Sequence, residues 1–339
     1  MDNKITKKRI SNFFSYHWIT MIVVALVAVL LWDFVYAFFA VDLTPGQQFK
    51  YYFDYNVVSD NQRNLYEKVV YRKTFSYDVI EIDYEGVVES LDVLPTRFAL
   101  HEGDAIFTEL SRTEDAMYDK GTCRANELID RFSIYSMDEL LKDAKTYLYS
   151  FVKDELQTDG GEQTEVMFDT NSLSSEKIEN TFLSRMSRDN RYRTAEQKAE
   201  GIVLETERIY NLAREVKKFQ YLLELDDTRA DDDKLFYTYR KYEQTYLTME
   251  NEVLKEDYRK AYEKQSVKRY GLRIDKLENG QERTKDYFGL GLDGYENKGA
   301  LDIVLLAVNF LSVQPHLQFE TISFINCIVE LFSDLYSGI

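Results

Sequence analysis

One stretch stands apart from the mixed apolar and polar pattern of the chain. Trp18 to Ala40 reads WITMIVVALVAVLLWDFVYAFFA, with no charge before Asp33. As a helix rising 1.5 Å per residue it reaches about 34 Å, enough to cross a hydrocarbon core of roughly 30 Å. Asp33 sits beside Trp32 and Tyr36, which predicts a place near the far headgroups, where a carboxylate is tolerated. Tyr16 and Trp18 supply an aromatic belt at the near side. A cleaved signal peptide would have a shorter apolar core and a small-x-small cleavage site, whereas Phe38-Phe39-Ala40 offers a poor one. The pattern therefore predicts a retained transmembrane helix over 18–40, preceded by a basic segment, 1–17.

Beyond the turn signal Thr44-Pro45-Gly46, two periods alternate. Phe49–Val58 is aromatic and β-branched and reads as a strand. Asn61–Tyr71 has helical spacing, with Ser59 or Asp60 as N-cap. Phe75–Tyr84 (FSYDVIEIDY) alternates as a strand that places Glu81 and Asp83 on one side. VVESLDVLPTRFAL reads as helix interrupted at Pro95, and Gly103–Leu110 as a third strand. Strand–helix–strand–helix–strand predicts right-handed crossovers and a mostly parallel sheet. Met137–Lys153 is an amphipathic helix with a capping box from Ser136 to Glu139. Thr158–Glu165 (TDGGEQTE) is the clearest internal boundary. Helices are then expected over Glu176–Ser187, Thr194–Leu225 and Leu235–Gln265. Tyr270–Asp275 and Tyr287–Leu292 read as strands, Ala300–Ser312 as a buried strand or helix, and Glu320–Tyr336 as a closing helix.

Charge sharpens this picture. Residues 1–40 carry Lys4, Lys7, Lys8 and Arg9 against Asp2 and Asp33; removing that +2 from the chain's −17 leaves −19 on residues 41–339. The basic flank predicts a cytoplasmic N-terminus and an extracytoplasmic C-terminal domain. The acidity of the remainder excludes a basic nucleic-acid-binding domain. Two cysteines exclude a disulfide framework, and 45% hydrophobic with 14% aromatic residues excludes bulk disorder. Cys123 and Cys327 leave a single bridge open as an arrangement, with Cys327 reading as a buried hydrophobe.

The motifs for catalysis are missing. His17, His101 and His316 lack metal-ligand spacing, and neither a GxSxG elbow nor a phosphate loop occurs. Gly289-Leu-Gly291-Leu-Asp-Gly294 spells G-x-G-x-x-G without the strand and helix that a dinucleotide site needs. Asp231-Asp-Asp233 reads as a solvated turn. Hence no enzyme, no catalytic residue, no metal and no cofactor is expected. In an open α/β sheet, ligands sit beyond the carboxyl ends of the strands. That rule points to Ser59 and Asp60 after the first strand, Tyr84 and Glu85 after the second, and Glu109 and Ser111 after the third. Carboxylates there suit a cationic or polyhydroxy ligand, while Ser59 and Asp60 equally serve as helix caps.

The opening strand, FSYDVIEIDY and Gly103-Asp104-Ala105-Ile106-Phe107 resemble the start of an extracytoplasmic solute-binding protein of the type 2 periplasmic-binding class. RYGLRIDKL and VLLAVNFLSVQPHLQFETISFI are similar to that family's return strand and closing helices. Phe13-Phe14-Ser15-Tyr16-His17 before the span looks like a patch found in membrane-anchored proteins of Gram-positive bacteria. The resemblance implies an α/β fold with a periplasmic-binding-like α/β lobe (41–157 and 266–339); the periodicity makes the second lobe (158–265) largely helical, far more so than in that family. It implies a binding protein held in the bilayer by residues 18–40, capturing a small solute or modulating an ABC-type transporter through its permease subunits. The alternative is an assembly protein whose helical lobe docks a membrane complex. The lipid-attachment cysteine of the family is absent, and both tryptophans lie in the anchor.

Overall fold

The computed structural model describes residues 7–39, 47–54, 59–87, 93–100, 102–109, 124–157, 168–226, 234–239, 260, 267–280, 287–288, 303–309 and 319–337. The chain forms two units, Met1–Thr44 and Pro45–Ile339. The first holds helix α1 (Lys7–Phe39). Within it Tyr16–Tyr36, 21 residues, is long and apolar enough to cross a membrane, and none of that window is buried by protein. Its length and apolarity suit a hydrocarbon environment.

The second unit is built on one six-stranded sheet of order β2-β1-β3-β6-β5-β4. Its strands are β1 (Gln48–Phe53), β2 (Glu81–Gly86), β3 (Ala105–Glu109), β4 (Phe236–Tyr239), β5 (Lys268–Arg273) and β6 (Ile303–Ala307). β1 pairs in parallel with β2 and β3, whereas β6, β5 and β4 join antiparallel. Helices α2 (Ser59–Tyr71) and α3 (Val93–Ala99) make the two crossovers of the parallel half. The first crossover runs from β1 to one side and the second returns past β1 to the other. Right-handedness then demands helices on opposite faces. Leu65 and Val69 of α2 accordingly enter the large core with Phe49, Tyr51 and Phe53, while Leu94 of α3 enters a smaller core with Tyr52 and Ile106.

The large core is closed by α5 (Met137–Tyr149), α7 (Ala195–Asp226) and α8 (Glu320–Phe332). Twelve of the thirteen residues of α8 are buried, the polar Glu320, Thr321, Ser323 and Asn326 among them. The smaller core is closed by α4 (Arg124–Arg131), through Ala125, Leu128 and Ile129. α6 (Ser175–Arg185) packs on α7 through Phe182 and Tyr192 beside Gly201, where a Cβ would come within 2.3 Å of the Phe182 ring. The segment expected as a helical lobe thus adds β4 to the sheet and α7 to its face.

Several boundaries differ from the sequence expectation. Residues 72–80 are turn, and β2 begins only at Glu81. The alternation of Phe75, Tyr77 and Val79 arises because the turn inserts Phe75 and Val79 into the large core, and the Ile80 amide donates to Gln47 O at 2.8 Å. The helix expected from Leu235 is instead strand β4. Its aromatic content, FYTY, suits a half-buried pleated surface, and tertiary pairing with β5 overrides the charge spacing further on. Tyr287 and Phe288 are helical where a strand was expected, and within 300–312 Ile303–Ala307 form the buried strand β6. The capping box holds: the Glu139 amide donates to Ser136 Oγ at 3.2 Å. Cys327 is a free, buried thiol whose pKa burial pushes up to about 11. Cys123 lies outside the described residues, as do Gly289–Gly294, Asp231–Asp233 and most of 240–266.

Candidate functional site

The register of β1 on β2 opposes Gln48 to Glu81, Lys50 to Asp83 and Tyr52 to Glu85. Side chains alternate along a strand, so these three pairs share one face. The first two pairs, Gln48 with Glu81 and Lys50 with Asp83, line one side of an open cleft of about 170 Å³, whose other wall is Arg97 of α3 with Glu102 and Gly103 from the turn into β3. Gln48 Nε2 donates to Glu81 at 2.8 Å. Lys50 Nζ lies 3.2 Å from Asp83 and 2.8 Å from Glu85. Arg97 donates to Glu102 at 2.7 Å and stands 3.7 Å from Glu85. Lys50 and Arg97 thus meet Asp83, Glu85 and Glu102, while Glu81 takes the Gln48 amide.

Burial works to lower the Lys50 pKa, but hydrogen bonds and charge attraction from Glu85 and Asp83 win, and the ammonium is held above its ordinary value. Asp104 behaves in the opposite way. Burial pushes its carboxyl up to about 7, against the Lys50 amide that donates to it at 2.8 Å, and the charge of Glu320 adds to the rise. Backbone bonds fix this corner: Asp104 N donates to Lys50 O at 2.6 Å, and Val308 N to Asp104 O at 2.9 Å. Gly103 precedes it at φ +101°, a backbone that side chains disfavour, and a Cβ there would fall 2.2 Å from the Tyr52 ring. The glycine lets Tyr52 lie flush against the cleft wall. Tyr52 is fully buried, and its hydroxyl has no hydrogen-bond partner among the described residues. Burial raises its pKa, and so do the charges of Glu85, Glu102 and Asp104 near its oxygen.

The carboxyl ends of β1 and β3, where the sequence places a site, hold a different feature. Asp54 takes a bidentate pair from Arg124 at 2.6 and 2.7 Å and a bond from Thr108 Oγ1 at 3.1 Å. Arg124 also reaches Glu127 at 2.9 Å. Both members of the central pair are buried, so this geometry anchors α4 to the sheet.

Of the six residues singled out from sequence, Ser59 and Asp60 open α2, with Asp60 exposed. Tyr84 faces the large core, with Tyr51 at 6.0 Å and Tyr66 at 5.3 Å between ring centroids. Glu85 points to the opposite face and joins the cleft. Glu109 ends β3 opposite Ile303, and Ser111 lies outside the described residues. The structure thus brings Glu85 to the cleft, together with Glu81 and Asp83. Gln48, Lys50, Tyr52, Arg97, Glu102 and Asp104 were missed as partners. Only the polar alternation of Gln48 and Lys50 within an aromatic strand hinted at them.

Among the described residues no three His, Cys, Asp or Glu side chains gather as metal ligands. Comparison with family models, curated proteins and solved structures returns no match for this chain.

Proposed function

We propose that this is a membrane-anchored, non-enzymatic binding protein, its N-terminus cytoplasmic and its body extracytoplasmic, capturing a small solute in the Lys50 cleft. The observation that carries the reading is the pairing of a bare 21-residue apolar helix with a separate compact unit that presents an open, charged cleft. The Lys and Arg residues before the helix support the orientation. The parallel β2-β1-β3 half, with its crossover helices on opposite faces, supports the likeness to the type 2 periplasmic-binding class. On that likeness, the solute would pass to the permease subunits of an ABC-type transporter.

The volume of the cleft favours a second reading. Pockets that engulf a whole small molecule run to roughly 300–1,000 Å³, and this one is about 170 Å³. A site of that size also fits one side chain of a partner, as in an assembly protein docking on a membrane complex.

Two measurements test the proposal. Protease added to intact cells should degrade the body and spare the anchor; a body protected until lysis overturns the orientation. Thermal unfolding of the full chain in detergent, screened against sugars, amino acids, organic anions and amines, should give saturable stabilisation by at least one class. Silence across the panel, with capture of membrane subunits intact, establishes the assembly reading instead.

A further inference from the structure

We propose that α1 pairs inside the bilayer with a transmembrane helix of another protein that carries a Lys or Arg level with Asp33. The inference rests on the anchor in the reading above and names the chemistry of its partner. Asp33 is the one Asp, Glu, Lys or Arg between Arg9 and Asp42. Sequence sets it near the far headgroups, yet α1 continues for six residues past it, to Phe39, and those six (FVYAFF) carry no charge. A helix that left the bilayer at Asp33 would take them into water. Seating them in hydrocarbon draws the carboxylate about 9 Å inward at 1.5 Å per residue. The apolar window Tyr16–Tyr36 closes beyond Asp33 and so contains it.

An ionised group at that depth is costly, and membrane helices that keep one turn it towards a partner group. α1 has none to offer. Its cations are Lys7, Lys8 and Arg9, and Arg9 stands about 36 Å away along the helix axis. Asp33 is exposed, and so are Val29, Leu30 and Tyr36, which share its face one turn to either side. Lipid tails bring no donor to that face. A second copy of the chain, related by a two-fold axis, would bring a second carboxylate to the same depth and add the charge it had to neutralise. A helix bearing Lys or Arg at that level supplies opposite charge and N–H donors together.

The test is photo-cross-linking of the full chain in its native membrane. Benzoylphenylalanine replaces Leu30, on the Asp33 face, or Leu31, on the opposite one. Leu30→benzoylphenylalanine should give an adduct whose attached segment, read by mass spectrometry, is an apolar span containing Lys or Arg. Leu31→benzoylphenylalanine should give less of it. Added to the Leu30 probe, Asp33→Leu should abolish the adduct and Asp33→Glu should keep it, with both chains still resisting extraction by alkaline carbonate. An attached span without a basic residue, an adduct to a second copy, equal yield from the two faces, or an adduct that survives Asp33→Leu overturns the proposal. Cross-linking to lipid alone does the same. Carbonate extraction of the parent chain removes the anchor reading itself. A retained chain that forms no adduct removes the helix partner and leaves solute capture in the cleft standing.

Discussion

Two polar clusters lie near the amino end of β2, and they differ in how completely their charges are matched. In the first, Asp78, Asp189 and Glu205 meet Arg185, Arg191 and Arg208. Glu205 takes two bonds from Arg208, at 3.0 and 2.8 Å, one from Arg185 at 2.9 Å and one from the Tyr77 hydroxyl at 2.9 Å. Arg191 joins Asp78 to Asp189, and Arg208 reaches the Tyr147 hydroxyl at 2.6 Å. These six groups gather between the turn at 72–80 and helices α6 and α7, where Glu320 of α8 adds a fourth carboxylate and takes the Ser76 amide. In the second cluster, Lys50 and Arg97 share Asp83, Glu85 and Glu102 at an open cleft, Glu81 takes a neutral amide, and the enclosed Tyr52 hydroxyl has no partner among the described residues. Matched, buried charges fix a turn against helices. Mismatched charges at an opening are where binding energy remains to be gained from a ligand of the missing sign.

The comparison breaks most visibly at Glu205. Truncation to alanine leaves Arg208 buried without its main partner, which for a buried pair costs about 3–5 kcal/mol. Urea unfolding followed by circular dichroism should show that loss, and a loss under about 1 kcal/mol would mean the network is replaceable. The pH profile separates the clusters by sign. Burial alone would raise the Glu205 pKa, but the Arg208 and Arg185 guanidinium groups hold it down to about 2. Its stabilisation is therefore present above the ordinary glutamate value near about 4.3 and is lost as pH falls towards 2. Asp104, raised to about 7, acts in reverse: the native state keeps its proton more tightly, so stability declines as pH climbs from about 4 through 7. Asp104→Asn should remove that decline; a profile identical to the parent would show that Asp104 ionises normally.

Next in size is Gly103→Ala. The left-handed backbone and the overlap with the Tyr52 ring together predict a loss of about 2–3 kcal/mol. A neutral result would show that the turn into β3 relaxes freely and that the cleft wall is soft.

How far these clusters could be read from sequence follows from the range of the interactions. Local signals survived: the Ser136–Glu139 box caps α5, the spacing of Ile209, Leu212, Val216 and Phe219 is the buried stripe of α7, and Trp18–Ala40 is the apolar helix. The placement of Glu81 and Asp83 on one face also survived, since a period of two is local. What failed was nonlocal. Residues 75–80 alternate like a strand, yet Asp78 and Tyr77 are spent on Arg191 and Glu205, more than a hundred positions away, and that pulls them into a turn. Phe236–Tyr239 became strand because β5 offered an edge. The cleft depends on the register that sets Lys50 beside Asp83 and on an α3 arginine across from it, neither of which a window of neighbouring residues contains.

Tyr52→Phe probes the unpaired hydroxyl without disturbing the ring. Removing a buried polar atom that has no partner should stabilise the ligand-free protein by about 1 kcal/mol, while the ring keeps its contacts with Phe98 and Gly103. Higher stability with an unchanged circular dichroism spectrum marks a buried hydroxyl whose desolvation is uncompensated. Lower stability would instead reveal a hydrogen bond that the hydroxyl makes within the protein.

The smallest effect belongs to Asp83→Asn. Its side chain is 53% exposed, and Lys50 keeps Glu85 at 2.8 Å when Asp83 is neutralised. Exposed pairs contribute roughly 0.2–1 kcal/mol, and here the surviving partner absorbs part of that, so unfolding should shift by about 0.5 kcal/mol or less. Against the loss at Glu205, this is the sharpest form of the comparison: one carboxylate is indispensable to the fold, and the other is free to be taken up by whatever enters the cleft. A loss at Asp83 approaching that at Glu205 would mean the open cluster is also a structural lock, and the charge excess would no longer point outward.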